Sequence, residues 1–244
     1  MATIPVTASR VVAVAAREIG TVEQRINCTA YGRAYGVDGV AWCAIFAWWV
    51  IREAGNRKQA CNLRNAGFAN PASCNQIAVD AKRLGWKRIT PVHVRPGDLI
   101  LWDFGVVSRG DPADDADHIG IASRPGTQIL LWCVEGNTGP GADGSQHDGD
   151  GVFERARTAR QAHSIWRPPY RSTVLRSELH TGAKGGLVWD VQGLVGLHGR
   201  DGVDGIYGPG TRRSVQEWQE RKRIARTGRF GAVEAAAAGW RWKP

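Results

Sequence analysis

The chain has 244 residues, 43% of them apolar, which is enough for one substantial core and a second, smaller one. No run approaches the ~18 apolar residues of a membrane span, and no charged region followed by an apolar one and a cleavage site opens the chain, so neither a membrane protein nor an exported one is expected. Five cysteines (Cys28, Cys43, Cys61, Cys74, Cys133) at irregular spacing indicate neither a zinc ribbon nor a disulfide framework, and the formal charge of +9 is concentrated in residues 171–244, where 13 Lys+Arg stand against 7 Asp+Glu, or +6.

Thr7 can cap a first helix over residues 8–19, with Val11, Ala15 and Ile19 on one stripe and Gly20 as its stop. Residues 21–42 are rich in Gly, Asn, Tyr and Thr and read as a loop. They feed a helix over residues 43–54 whose opening, Cys43-Ala44-Ile45-Phe46-Ala47-Trp48-Trp49-Val50, is apolar on every side and therefore buried. The capping box Ser73-Cys74-Asn75-Gln76 starts a third helix over residues 74–84, with Ile77, Ala81 and Leu84 on its stripe. Cys74 falls in its first turn, and nothing in the sequence marks it as reactive.

After Gly85 the period becomes strand-like. Pro96-Gly97-Asp98 turns into Leu99-Ile100-Leu101-Trp102, and an acidic loop with Asp111, Asp114, Asp115 and Asp117 leads to His118-Ile119-Gly120-Ile121-Ala122. Further strands are expected over 128–135, 151–157 and 163–170, with the Gly/Asp-rich residues 139–151 as a mobile hairpin loop. Helices first and strands afterwards imply an α+β domain with an antiparallel sheet over residues 1–170. Residues 171–184 read as a linker. The remainder, 185–244, reads as a small helical domain: Leu187, Val191, Leu194 and Val195 at helical spacing, a turn-rich stretch, a helix from Thr211 with Val215 and Trp218 on one face, and an alanine-rich helix over 231–238.

Chemistry gathers on Cys43. It stands where a loop enters a helix, and the unpaired N–H groups and positive dipole end found there stabilise a thiolate, although free cysteine more often serves as a small buried hydrophobe. Acyl transfer by cysteine also needs an imidazole as base and a third group to hold that imidazole in one tautomer. His118 opens an apolar strand on one face with Gly120 and Ala122, small residues that leave room for a facing helix N-terminus. Glu135-Gly136-Asn137 ends the run Ile129–Val134, so that either polar side chain can reach His118 from a strand end.

These residues carry a resemblance. Tyr31-Gly32-x-x-Tyr35-Gly36, Trp42-Cys43-Ala44-x-Phe46, Pro96-Gly97-Asp98-Leu99-Ile100, Asp117-His118-Ile119-Gly120-Ile121 and Val134-Glu135-Gly136-Asn137-Thr138 resemble, in order, the CHAP family of cysteine, histidine-dependent amidohydrolases and peptidases. The resemblance implies a papain-like α+β fold and cleavage of amide bonds in bacterial peptidoglycan, as an N-acetylmuramoyl-L-alanine amidase or a peptide endopeptidase. It implies Cys43 as nucleophile, His118 as base, Glu135 as orienting group, and Asn137 near the histidine or the oxyanion site. No cofactor or metal is implied: some relatives bind calcium ahead of the cysteine, but here that loop offers only Asp38 as a carboxylate after Glu23.

The tail is similar to the three-helix peptidoglycan-binding domain of many wall hydrolases through Gly186-Leu187-Val188-x-x-Val191-Gln192-x-Leu194 and Asp204-Gly205-Ile206-Tyr207-Gly208-x-x-Thr211-x-x-x-Val215-x-x-Trp218-Gln219. It departs from that pattern where Ala235–Ala238 replace the usual leucine. The expected protein is a monomeric bacteriophage endolysin, made in the host cytoplasm and acting on the cell wall after release through the membrane. Peptidoglycan is its expected partner, and neither nucleic acid nor membrane is. A bacterial autolysin of the same chemistry, a non-catalytic wall-binding protein, a nucleic-acid-binding protein and a zinc enzyme are the competing readings.

Overall fold

A computed structural model of the protein describes residues 4–55, 63–105, 116–140 and 149–244. In chain order its elements are β1 (Ile4–Thr7), α1 (Ala8–Glu18), α2 (Ala30–Tyr35), α3 (Cys43–Ala54), α4 (Cys74–Arg83), β2 (Lys87–Arg88), β3 (Leu99–Trp102), β4 (His118–Ala122), β5 (Leu130–Thr138), β6 (Gly151–Thr158), β7 (Ala162–Arg167), β8 (Tyr170–Arg171), β9 (Val174–Leu175), α5 (Gly186–Leu194), α6 (Gly199–Gly202), α7 (Pro209–Arg221), α8 (Ala232–Ala237) and β10 (Arg241–Trp242). Cys61, His147, Asp111, Asp114, Asp115 and most of the loop expected over 139–151 lie outside the described residues. No described helix is long and apolar enough to cross a membrane.

The chain forms two compact units, Met1–Val6 with Ile19–Tyr170 and Thr7–Glu18 with Arg171–Pro244. The first is α+β. Its six-stranded sheet runs β2-β7-β3-β4-β5-β6 with every neighbour antiparallel, the arrangement the alternating apolar runs call for. α3 packs on β4 and β5, and α2 packs on α3. α3 is buried over most of its surface, from Cys43 through Ile51, as its all-round apolar sequence requires. Gly136 permits the close approach of β5: a Cβ there would lie 2.6 Å from the Trp42 ring and 2.7 Å from the Phe46 Cβ. Ile100, Trp102, Ala122, Leu131, Cys133 and Ile165 form an apolar cluster on the sheet.

Two local features depart from the sequence reading. The expected loop of residues 21–42 contains α2, whose N-cap Thr29 accepts from the Gly32 N–H and whose stop, Gly36, has φ 95°. The room beside Gly120 is filled by Cys133 and Glu135 of the neighbouring strand, not by a helix N-terminus.

The second unit groups residues differently from the expected boundaries. The segment read as a linker is part of its core, with Leu175 and Leu179 buried beside Val188, Val191, Tyr207, Val215, Trp218 and Phe230. Its backbone meets three successive parts of the tail: β9 pairs in parallel with β10, Leu179 bridges to Phe230, and Lys184 bridges to Ile206. Helix α1, capped at Thr7 as its sequence predicts, also belongs here rather than with residues 19–170. Its contact with α5 depends on a glycine, since a Cβ on Gly193 would lie 2.7 Å from the Ala13 Cα. Arg10 pairs with buried Asp190, and Arg17 lies 4.5 Å over the Trp189 ring. Ala235 is fully buried, and Phe230 and Trp240 fill the core around that helix.

Candidate active site

Cys43 is the first residue of α3. The N-cap, Trp42, makes no side-chain cap hydrogen bond, and the Ala44 N–H is directed at the Cys43 sulfur. Trp42 is itself anchored, its indole N–H donating to Glu23 Oε2 at 3.1 Å. Asp38 ties the preceding loop together, with Oδ1 accepting the Thr29 N–H at 2.8 Å and Oδ2 paired with Arg33 at 3.5 Å. Both carboxylates of that loop are thus engaged in holding the entry to α3. Among the described residues, no group of three or more His, Cys, Asp or Glu side chains is placed to hold a metal ion.

His118 starts β4 opposite Trp102 of β3 and is 1% exposed. Its Nε2 lies 3.1 Å from Glu135 Oε2, so Nδ1 is the ring nitrogen left for Cys43, with which the imidazole also shares a hydrogen bond. Glu135 is fully buried on β5 and accepts from every side: Arg157 Nε donates to Oε1 at 2.9 Å, Arg157 Nη2 to Oε2, and the Cys133 S–H to Oε1 at 2.9 Å. Such complete pairing is what a buried carboxylate needs to stay ionised. Burial alone would raise its pKa, yet His118 and the Arg157 guanidinium bring it down to about 2.

The sulfur and the imidazole are tuned in opposite directions. The thiol of Cys74, against the burial that opposes it, and then His118 hold Cys43 well below the usual thiol range. Burial pulls His118 down, but the Cys43 thiolate and Glu135 together lift it to about 9. These opposite shifts favour thiolate and imidazolium, the forms that can attack a carbonyl and then protonate a departing amine.

Cys43, His118 and Glu135 are brought together from a helix start and two adjacent strands. Asn137 stands two residues beyond Glu135, where the β5–β6 register slips, with φ 57°. It is 2% exposed, and its Oδ1 has no hydrogen-bond partner among the described residues. Three side chains join the site unannounced. Arg157 had a visible signal, because Arg155 and Arg157 alternate on an otherwise core-forming strand; both are nearly buried. Cys133 had none beyond its place on a buried strand. Cys74 had none either, yet its Sγ is 3.7 Å from that of Cys43.

A cysteine thiol beside a histidine and a buried carboxylate on an α+β scaffold is an arrangement chemically able to support acyl transfer. Residues 34–137 match the CHAP domain family, and residues 193–237 match the peptidoglycan-binding domain family. The chain thus pairs a match to the CHAP domain family with a match, further along, to the peptidoglycan-binding domain family. A comparison with curated proteins returns no match. Among solved structures the chain is similar to a wild-type endolysin, LysIME-EF1, at 15% identity and a TM-score of 0.42 over 70% of this chain and 68% of that one. It is also similar to Ly7917, at 13% identity and a TM-score of 0.40 over 73% and 68%.

Proposed function

We propose that this protein cleaves an amide bond of bacterial peptidoglycan by cysteine catalysis, as a muramoyl-alanine amidase or a stem-peptide endopeptidase. The observation that carries the reading is the buried line from Cys43 through His118 to Glu135, opening at the uncapped start of α3. In this mechanism the Cys43 thiolate attacks the amide carbonyl, and the backbone N–H of Cys43 at the helix start receives the developing oxyanion. The His118 imidazolium gives its proton to the leaving amine and then, as a neutral base, takes one from the water that hydrolyses the thioester. Glu135 fixes the tautomer and balances the charge on the ring. Asn137, with its free carbonyl oxygen, is assigned to the leaving amine or the hydrolytic water.

The second unit holds the enzyme on its insoluble substrate, raising its effective concentration there. We assign the protein to phage-directed lysis as a monomer, with cytoplasmic synthesis preceding access to the wall. Clearing of a bacterial wall suspension tests the catalytic reading: the intact chain clears it and Cys43→Ala does not. Mass spectrometry of digested, defined peptidoglycan then identifies the bond. Clearing that survives Cys43→Ala would overturn the mechanism. Lysis on cytoplasmic expression before the membrane is permeabilised would overturn the proposed order of events.

A further inference from the structure

The sulfur atoms of Cys43 and Cys74 lie 3.7 Å apart, both buried, each on the first residue of a helix. The position of Cys74 is fixed from two sides. The Ser73 hydroxyl caps α4 by accepting the Gln76 N–H, and Asn75 Oδ1 accepts the Ala116 N–H at 2.7 Å, two residues ahead of His118. The start of α4 is thereby fastened to the segment that delivers the imidazole. The geometry points to Cys74 as a positioning residue of the reaction, whose S–H donates to the Cys43 thiolate and holds it ionised and aimed until a carbonyl arrives.

This inference rests on Cys43 being the nucleophile. The two thiols divide the labour because only one can ionise at such a distance. Cys74 has Cys43 and Asp117 as its charged neighbours, and it keeps its proton; that thiolate, together with burial, pushes its pKa well above the usual thiol range. Cys43 is faced by Cys74 from α4 and by His118 from β4, with Glu135 behind the ring and Arg157 and Cys133 beyond that carboxylate. A hydrogen bond to an ionised acceptor is roughly twice as strong as one between neutral groups, so this S–H favours the thiolate.

The test follows the rate of iodoacetamide alkylation at Cys43 against pH, in the full-length chain, by peptide mass spectrometry. Cys74→Ala removes the donor, and the midpoint is expected to rise by about one pH unit, which slows alkylation about tenfold below the midpoint. Cys74→Ser keeps a donor and is expected to stay near the parent. If all three proteins share one midpoint, Cys74 only fills space and the inference fails. Alkylation needs no substrate, so this result stands apart from the clearing assay with Cys43→Ala, which judges the nucleophile.

A second measurement uses the unmodified chain and hydrogen peroxide. The Cys43 thiolate attacks one peroxide oxygen and breaks the O–O bond, leaving a sulfenic acid and a hydroxide that takes the His118 imidazolium proton to become water. The Cys74 sulfur then displaces the sulfenic hydroxyl, which leaves as water while the S–S bond forms, so that two thiols are oxidised and one peroxide is reduced to two waters. A linked Cys43–Cys74 peptide pair, with clearing lost and then restored by dithiothreitol, is the expected result. Sulfinic or sulfonic acid at Cys43 beside an unreacted Cys74 would overturn the contact even if both variants failed to fold.

Discussion

Each unit buries a polar network, and the two networks differ in kind. In the first unit the centre is a carboxylate, Glu135, surrounded by His118, Arg157 and Cys133. In the second, the centres are amides, used twice. Gln192 donates to Asp204, Thr211 and the Ile206 carbonyl while its oxygen accepts the Gly205 N–H; Gln219 donates to Glu234, Thr227 and the Arg229 carbonyl while its oxygen accepts the Gly228 N–H. An amide neither gains nor loses a proton at ordinary pH, so it can fix a turn between helices and nothing more. A buried carboxylate costs more to hold, but it sets the proton affinity of whatever it touches.

The difference can be broken from either side. The largest effect is expected from Cys43→Ala, which should abolish clearing by at least about 10⁴-fold while leaving sedimentation with purified walls unchanged. Glu135→Gln comes next: turnover should fall by about 10²- to 10⁴-fold, and the loss of the negative charge should move the alkaline limb of the rate profile to lower pH.

In the parent that alkaline limb is expected near 9, where His118 loses the proton it must deliver. Stability follows the same groups. His118 has a folded pKa above its ordinary 6.5, so its contribution is complete below about 6.5 and is lost as pH rises through about 9. Glu135 is held below its ordinary 4.5, so its contribution is present above that value and is lost as pH falls toward about 2. Thermal melting of the first unit should therefore drop on both sides of this window, and Glu135→Gln should flatten the alkaline side.

The smallest effect is expected in the second unit. Gln219→Leu leaves the Gly228 N–H without its acceptor and should cost about 1–3 kcal/mol, read as earlier melting and weaker wall sedimentation. Hydrolysis of soluble peptidoglycan fragments should be unaffected. A changed rate profile in that variant would show the two networks to be coupled.

What could be read from the sequence follows from how local the cause is. The burial of α3 was written in its all-round apolar composition, and the sheet in alternating runs closed by turn residues. Cys43 and His118 mark themselves by position, at a helix start and a strand start, while Glu135, read as a strand end, lies inside β5, which runs on to Thr138. Cys74 does not, because its relation to Cys43 is made across 31 residues by the docking of α4. The segment of residues 171–184 looked like a linker because two isolated leucines, Leu175 and Leu179, show no period; their pairing partners in the backbone, Trp242 and Phe230, are more than 50 residues away. Helix α2 has six residues and no full apolar stripe, so only its caps, Thr29 and Gly36, could have announced it.

The membership of α1 in the second unit has a consequence for handling the protein. Residues 19–170 interrupt, in sequence, a unit that begins at Thr7 and resumes at Arg171, so the chain crosses from one unit to the other on either side of α1 and again at Tyr170. A single protease cut just after Tyr170 would sever the peptide, yet α1 would remain seated against α5 through Ala13, Gly193 and the Arg10–Asp190 pair. The nicked protein should travel as one species in native buffer and come apart in denaturant. A swap of wall-binding modules that begins at residue 185 would transplant a tail without its first helix and without the strand that stitches its turns together.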